Sequence, residues 1–156
     1  AANVASVMTA HVLFDAIDPG VPATLSRRAI SGLLRDGLSN DRDLVIFSDD
    51  LHMKAISEHW GLEDAAIRAI DAGCDGLLVC TDPEAQERIR LALATRARAI
   101  PDFATRLREA HGRVTRMRRQ VPPRAAANDG DLREVLRCAA HRAVLAEIER
   151  RAPRAD

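Results

Sequence analysis

Apolar residues gather in three short runs along the chain, at 5–14 (ASVMTAHVLF), 44–48 (LVIFS) and 76–80 (GLLVC). Runs of this length and continuity, rich in β-formers, predict strands of a parallel sheet buried on both faces. A helical pattern follows each. After the first, Ser26 can cap a helix whose apolar positions Ala29, Ile30, Leu33, Leu34 and Leu38 recur at three- and four-residue spacing. After the second, Ala66, Ile67 and Ile70 form a stripe over Leu62–Ala72, and Gly73 supplies a stop. After the third, Asp82 can cap a helix that has Pro83 at its first position and Glu84 and Glu87 in its first turn. Alternating strands and helices predict a parallel α/β fold.

Beyond residue 95 the strand signal ends. Phe103, Leu107, Val114 and Met117 mark a helix over Pro101–Arg119, and Pro122, Pro123, Asn128 and Gly130 argue for a linker at Val121–Gly130. Leu132, Val135, Leu136, Ala139, Ala143, Leu145, Ala146 and Ile148 then trace a last amphipathic helix. The expected division is 1–95 for the strand–helix units and 96–156 for a helical extension.

Composition narrows the classes of function. With 47% hydrophobic and 29% charged residues in 156, one soluble globular domain is expected. No apolar run approaches the ~18 residues of a membrane span, and no export signal is legible, so the expectation is a cytoplasmic protein without a membrane partner. The three cysteines, Cys74, Cys80 and Cys138, stand at unrelated spacings and are expected as free, buried thiols. The formal net charge of zero conceals an asymmetry: residues 1–95 hold 8 basic and 15 acidic side chains, residues 96–156 hold 15 and 8. The arginines of the basic half are scattered around helical patterns, which suits solvated faces or docking onto the acidic half better than a nucleic-acid site. Neither a phosphate-binding glycine loop nor zinc-ligand spacing occurs, so no cofactor or metal is expected.

Three strand–helix units leave a sheet with two apolar edges, which native proteins pair, cover or close. The chain is therefore expected to be the C-terminal portion of a (β/α)8 TIM barrel, its last three strand–helix units, followed by a helical tail. In such folds reactive side chains collect at the carboxyl ends of the strands. That edge holds Thr9, Ala10 and His11, then Ser48, Asp49 and Asp50, then Thr81 and Asp82. Only the second group has paired carboxylates. Neighbours in a strand point to opposite faces, so Asp49 and Asp50 cannot act on one substrate as an acid and nucleophile about 5 Å apart. One can reach a pocket while the other accepts backbone N–H groups at the start of Leu51–Ile56, or both can be solvated or capping aspartates. His11 either lines the pocket or makes structural hydrogen bonds; Met53 either packs under a substrate or fills core. His52 and His59 fit the surface, and Trp60 can anchor the loop before Gly61.

The stretches Ala5–Pro19, Pro22–Leu34, Val45–Ile56 and Ala65–Cys80 resemble consecutive blocks of the family 3 β-N-acetylhexosaminidases. Most specific is Ser48–Met53 (Ser-Asp-Asp-Leu-His-Met) directly after an apolar strand, in family order with Met8–His11, Pro22–Ser26 and Ala72–Asp75. The likeness covers roughly residues 5–82 and continues more loosely through Arg113–Arg119. It implies that Asp49 is the nucleophile of a retaining glycosidase, with His11 and Met53 as candidates for substrate contact. The implied substrates are small N-acetylglucosamine-containing glycosides of the muropeptide type, met in cell-wall recycling. An ionised carboxylate below the anomeric carbon stabilises an oxocarbenium-like transition state and forms a glycosyl-enzyme that water opens with retention. The resemblance also implies a proton-donating histidine on a loop after a Lys-His-Phe-Pro-Gly-His-Gly type of motif, which these 156 residues lack. That loop, and the main sugar-binding groups, are expected in an N-terminal half of the barrel that would be this chain's partner. A second departure is Leu38–Leu44, where relatives tend to carry a shorter Gly-Phe-Asp-Gly link. The alternative is a non-catalytic barrel piece that binds a partner through its exposed edges.

Overall fold

A computed structural model describes residues 4–38, 43–80, 82–120, 136 and 138–152. Two compact units are present, Ala1–Val121 and Pro122–Asp156.

The first unit is built on strands β1 (Ser6–Met8), β2 (Val45–Asp50) and β3 (Gly76–Leu78), all parallel and in sequence order. β2 lies at the centre and is the longest of the three strands. Val45 and Ile46 are fully buried, as expected where both faces are covered. β1 pairs through Ser6–Val45, Val7–Ile46 and Met8–Phe47. β3 pairs Gly76 with Phe47 and Leu78 with Asp50, and the register slips between these pairs. There the buried Ser48 hydroxyl accepts the Leu78 N–H at 3.0 Å, which satisfies a group that the irregularity would otherwise strand.

The first apolar run is a strand for only three residues. Thr9 still donates to the Phe47 carbonyl, but the chain then turns back, and Ala23 N–H bonds the Val12 carbonyl while Leu13 bridges Pro22. Met8 is 60% exposed, and Val12, Leu13 and Phe14 are exposed too. β1 has no strand on its far side among the described residues, so the burial expected of the run is not met.

Ser26 does cap a helix, its hydroxyl accepting the Ala29 N–H at 3.1 Å, but Arg28–Leu38 is wound as a π helix. The i→i+5 winding turns successive side chains through a smaller angle than the 3.6-residue period assumes. Ala29 and Ile30 are buried, whereas Leu33 is 44% exposed. Three α-helices complete the strand–helix pattern: the short α1 (Lys54–Ser57), α2 (Leu62–Ala72) and α3 (Pro83–Ala99). α2 stops at Gly73, whose φ of 126° is open only to glycine without strain. Asp82 caps α3 by accepting the Ala85 N–H at 2.9 Å, and that bond holds its carboxyl below the usual carboxylate range.

Two apolar clusters flank the sheet. Leu25, Ile30, Ile46, Ile56, Ala65, Ala69, Ala72 and Cys74 form one; Leu51, Ala66, Val79, Ala85 and Ile89 form the other. The alanines of α2 serve both, since a side chain of one carbon lets helix and sheet approach closely. Trp60 packs on the first cluster with the Arg68 guanidinium 4.6 Å over its ring, so it anchors the loop before α2.

Helix α4 (Pro101–Gln120) belongs to this unit, although the expected extension began at residue 96. Phe103 and Ala110 bury its apolar side. Its arginines dock on an acid: Arg106 Nη2 and Arg113 Nη1 donate to Asp75 Oδ1 at 2.8 and 3.1 Å, and Arg35 Nη2 donates to Oδ2 at 2.7 Å. Part of the basic half is therefore spent on the acidic half.

In the second unit α5 (Ala139–Arg151) is amphipathic, with Glu147 paired to Arg150 and Arg151 and with Val144, Leu145 and Ile148 exposed. The expected linker at Val121–Gly130 and the early turns from Leu132 lie outside the described residues. No described helix is long and apolar enough to cross a membrane.

Candidate active site

The carboxyl ends of β1 and β2 meet. His11, three residues past β1, directs Nε2 at the Asp50 carbonyl at 3.0 Å, and its Nδ1 lies 3.0 Å from Thr24 Oγ1. Both candidates from these strands therefore share one edge, as a common pocket requires. Thr81, expected at the same edge, lies outside the described residues.

Asp49 and Asp50 have different surroundings. Asp49 Oδ1 accepts the N–H of Asp50 at 2.8 Å, and Oδ2 has no hydrogen bond to any described residue. Asp50 Oδ1 accepts the His52 N–H at 3.1 Å and so shapes the turn into α1, while its carbonyl accepts the Met53 N–H at 3.0 Å as well as His11. Each carboxylate thus rests Oδ1 on a nearby main-chain N–H, and what separates them is that the Asp50 bond lies within the turn into α1.

Met53 precedes α1 and is 47% exposed, so it does not fill the core. His59 is exposed and His52 half-buried. An open cavity of about 450 Å³ lies beside the edge, lined by His11, Leu13, Gly20, Pro22, Ala55, His59 and Trp60. Of the site candidates His11 lines this space, whereas Asp49 and Met53 are not among its lining residues. No group of three His, Cys, Asp or Glu side chains is arranged to hold a metal among the described residues.

The cysteines divide. Cys74 is buried, Cys138 half-buried and Cys80 exposed, which corrects the expectation of three buried thiols; all are free. β3 ends at Leu78, so Cys80 leaves the sheet at the reactive edge rather than entering the core. Its thiol is pushed up from the ordinary value, first by lost hydration and then by the charge and hydrogen bond of Asp50 and the charge of Asp49. Burial, the largest cause, pushes the Cys74 thiol up to about 12, with the neighbouring Asp75 charge adding to it.

Sequence reading missed Thr24, placed Thr9 at the edge without a partner, and expected Cys80 to be buried. Thr24 is fully buried and its hydroxyl meets Thr9 Oγ1 at 2.8 Å. A threonine on a 3-10 turn, Ala23–Leu25, carries no periodic signal, and the 15-residue separation hides the pair. Asp75 was quoted only as part of a motif. An acid placed directly before a buried strand is the one signal that could have marked it as paired.

Fold and site together define a parallel α/β protein that presents a carboxylate at the carboxyl end of its central strand. Residues 1–123 match the model of the glycosyl hydrolase family 3 N terminal domain. The chain belongs to that family. It is 47% identical over 79 residues to a beta-hexosaminidase of Alkalilimnicola ehrlichii, covering 51% of this chain and 22% of that one. With the beta-hexosaminidase of Thioalkalivibrio sulfidiphilus it shares 40% over 111 residues, 71% of this chain and 30% of the relative. Among solved structures, the glycoside hydrolase family 3 beta-N-acetylglucosaminidase from Paenibacillus sp. superposes with a TM-score of 0.70 at 34% identity, over 82% of this chain and 25% of that one. The beta-N-acetylhexosaminidase from Beutenbergia cavernae gives a TM-score of 0.68 at 38% identity, over 72% and 33%. This chain spans a third or less of each of these relatives.

Proposed function

We propose that this chain supplies the nucleophile of a retaining glycosidase that releases terminal β-linked N-acetylglucosamine from muropeptide-type glycosides during peptidoglycan recycling in the cytoplasm. The observation that carries the reading is Asp49, with Oδ1 held by the Asp50 N–H and Oδ2 left without a hydrogen bond among the described residues. In the first step Oδ2 bonds to the anomeric carbon as the bond to the leaving oxygen breaks. In the second, water opens the glycosyl ester and restores the carboxylate. The leaving oxygen takes its proton from an acid in the N-terminal half of the barrel. General acid assistance is worth ~10²–10⁴-fold, so these 156 residues alone have no appreciable activity.

The three strand–helix units are the last three of a (β/α)8 barrel. Met8 at the end of β1, with Leu13 and Phe14 in the segment after it, are exposed apolar side chains that suit a face on which the remaining strands would close. His11 and Met53 border the sugar site. The relatives' names, hexosaminidase and N-acetylglucosaminidase, support the substrate class.

The test is steady-state hydrolysis of an aryl β-N-acetylglucosaminide by the complete protein. Asp49→Asn removes charge, keeps shape and abolishes turnover with little loss of stability; Asp50→Asn is milder. Near-normal turnover of the Asp49 variant would exclude it as the nucleophile.

A further inference from the structure

We infer that His11 is a positioning residue, which sets the Asp49 carboxylate through a hydrogen-bonded chain running Thr9–Thr24–His11–Asp50. The inference deepens the reading of Asp49 as nucleophile and rests on it. Its basis is that both ring nitrogens are already engaged. The Asp50 carbonyl can only accept, so the Nε2 that meets it at 3.0 Å carries a proton and donates. In the neutral ring Nδ1 is then an acceptor, and the Thr24 hydroxyl donates to it at 3.0 Å. With its proton so used, Thr24 Oγ1 accepts from Thr9 Oγ1 at 2.8 Å. Every polar atom along the chain has one consistent role. Thr24 is itself fixed from behind, for it is fully buried and its carbonyl accepts the Cys74 thiol at 3.8 Å.

The far end of the chain meets the reactive group. The Asp50 carbonyl takes a second hydrogen bond, from the Met53 N–H at 3.0 Å, so its plane is held from two directions. The N–H of the same residue holds Asp49 Oδ1 at 2.8 Å. Residue 50 is therefore clamped at its carbonyl by His11 and clamps the nucleophile with its amide. Losing the His11 bond frees one side of that carbonyl, and rotation about the Asp50 φ and ψ that it had restrained lets the adjoining peptide, whose N–H aims Asp49, shift. Misplacement of a reacting group by about 1 Å can cost ~10²-fold in rate. A sugar hydroxyl could bind His11 only by displacing Thr24 or Asp50, so His11 acts through the main chain rather than on substrate.

The experiment measures kcat and KM for aryl β-N-acetylglucosaminide hydrolysis by the complete protein as wild type, His11→Ala, His11→Gln and Thr24→Val, with thermal unfolding of each. Nitrogen-15 NMR of the His11 ring, which is independent of activity, is recorded alongside. The expected result is a fall in kcat of about 10²-fold for His11→Ala with KM unchanged. His11→Gln, whose amide can donate to the Asp50 carbonyl, recovers part of the loss, and Thr24→Val lies between wild type and His11→Ala. The neutral ring carries its proton on Nε2. A rise in KM at constant kcat would make His11 a sugar ligand and overturn the inference. So would unchanged kcat, no recovery by His11→Gln in a stably folded protein, or a ring proton on Nδ1. Full activity of Asp49→Asn would instead remove the nucleophile on which the inference rests, whereas a misassigned ring proton removes the relay alone.

Discussion

Asp75→Ala will be among the most destabilising single changes in the protein. The Asp75 side chain is completely inaccessible and accepts four hydrogen bonds, from Arg35, Arg106, Arg113 and the Ile46 N–H. The three guanidiniums come from the π helix and α4 and are themselves mostly buried. Taking away the carboxylate leaves three positive charges facing one another, and Arg106 already has a buried Nη1 without a hydrogen bond in the described structure. At an effective dielectric of ~20, two such charges ~5 Å apart repel by roughly 3 kcal/mol, which the arginines relieve only by pulling α4 away into water. Breaking a buried pair costs about 3–5 kcal/mol, against a total of about 5–15 kcal/mol for a native protein. Asp75→Asn is no remedy, since its amide turns donors toward donors. Equilibrium urea unfolding measures the loss. With a slope of about 2 kcal/mol per molar, the midpoint falls by roughly 1.5–2.5 M. A loss under about 1 kcal/mol, with the slope unchanged, would mean that Asp75 does not hold α4 to the sheet.

Gly76→Ala places a Cβ 2.4 Å from the Phe47 ring, which covers that glycine across the β2–β3 pair, and overpacking of this kind costs about 1–3 kcal/mol in thermal unfolding. Phe47→Leu on the same chain recovers part of the loss; failure to recover any would place the strain elsewhere. In the folded protein at neutral pH, iodoacetamide followed by peptide mass analysis labels the exposed Cys80 and spares the buried Cys74. Because the folded Cys74 thiol sits at about 12 against an ordinary 9, its contribution to stability is present below pH 9 and is lost as pH rises from 9 to 12. Cys74→Ala should flatten that alkaline decline, and an unchanged decline would trace it to other groups.

Strand order and the sharing of one carboxyl edge by His11 and the Asp49–Asp50 pair were legible because they depend on local apolar runs and on residues next to them. Ser26, Gly73 and Asp82 act at the helix ends where sequence puts them, since a cap needs only its nearest three residues. The limits of β1 were not legible. Residues 9–14 are apolar enough for a strand, but whether they pair depends on a neighbour, and among the described residues they form only the isolated Leu13–Pro22 bridge and meet no strand beyond β1. Leu33 is misread for a related reason, because its exposure follows from the π winding rather than from its own apolar character. Asp49 stood out as one of two adjacent acids after a strand. Its distinction from Asp50 needed the hydrogen bonds that give Asp50 to the turn. The network around His11 was invisible, as its partners come from residues 9, 24 and 50 and meet only after the chain has folded.

Asp49 as the attacking carboxylate is tested most directly by covalent capture. A fluorinated N-acetylglucosaminyl fluoride, activated by its leaving group and slow to hydrolyse, traps the glycosyl ester of a retaining enzyme. Inactivation of the complete protein followed by proteolysis and fragment mass analysis should find the sugar on the peptide spanning Val45–Asp50, attached to Asp49, and should find none with Asp49→Asn. A label on Asp50 or on a peptide outside this strand, or no covalent adduct on an inactivated protein, would contradict the assignment.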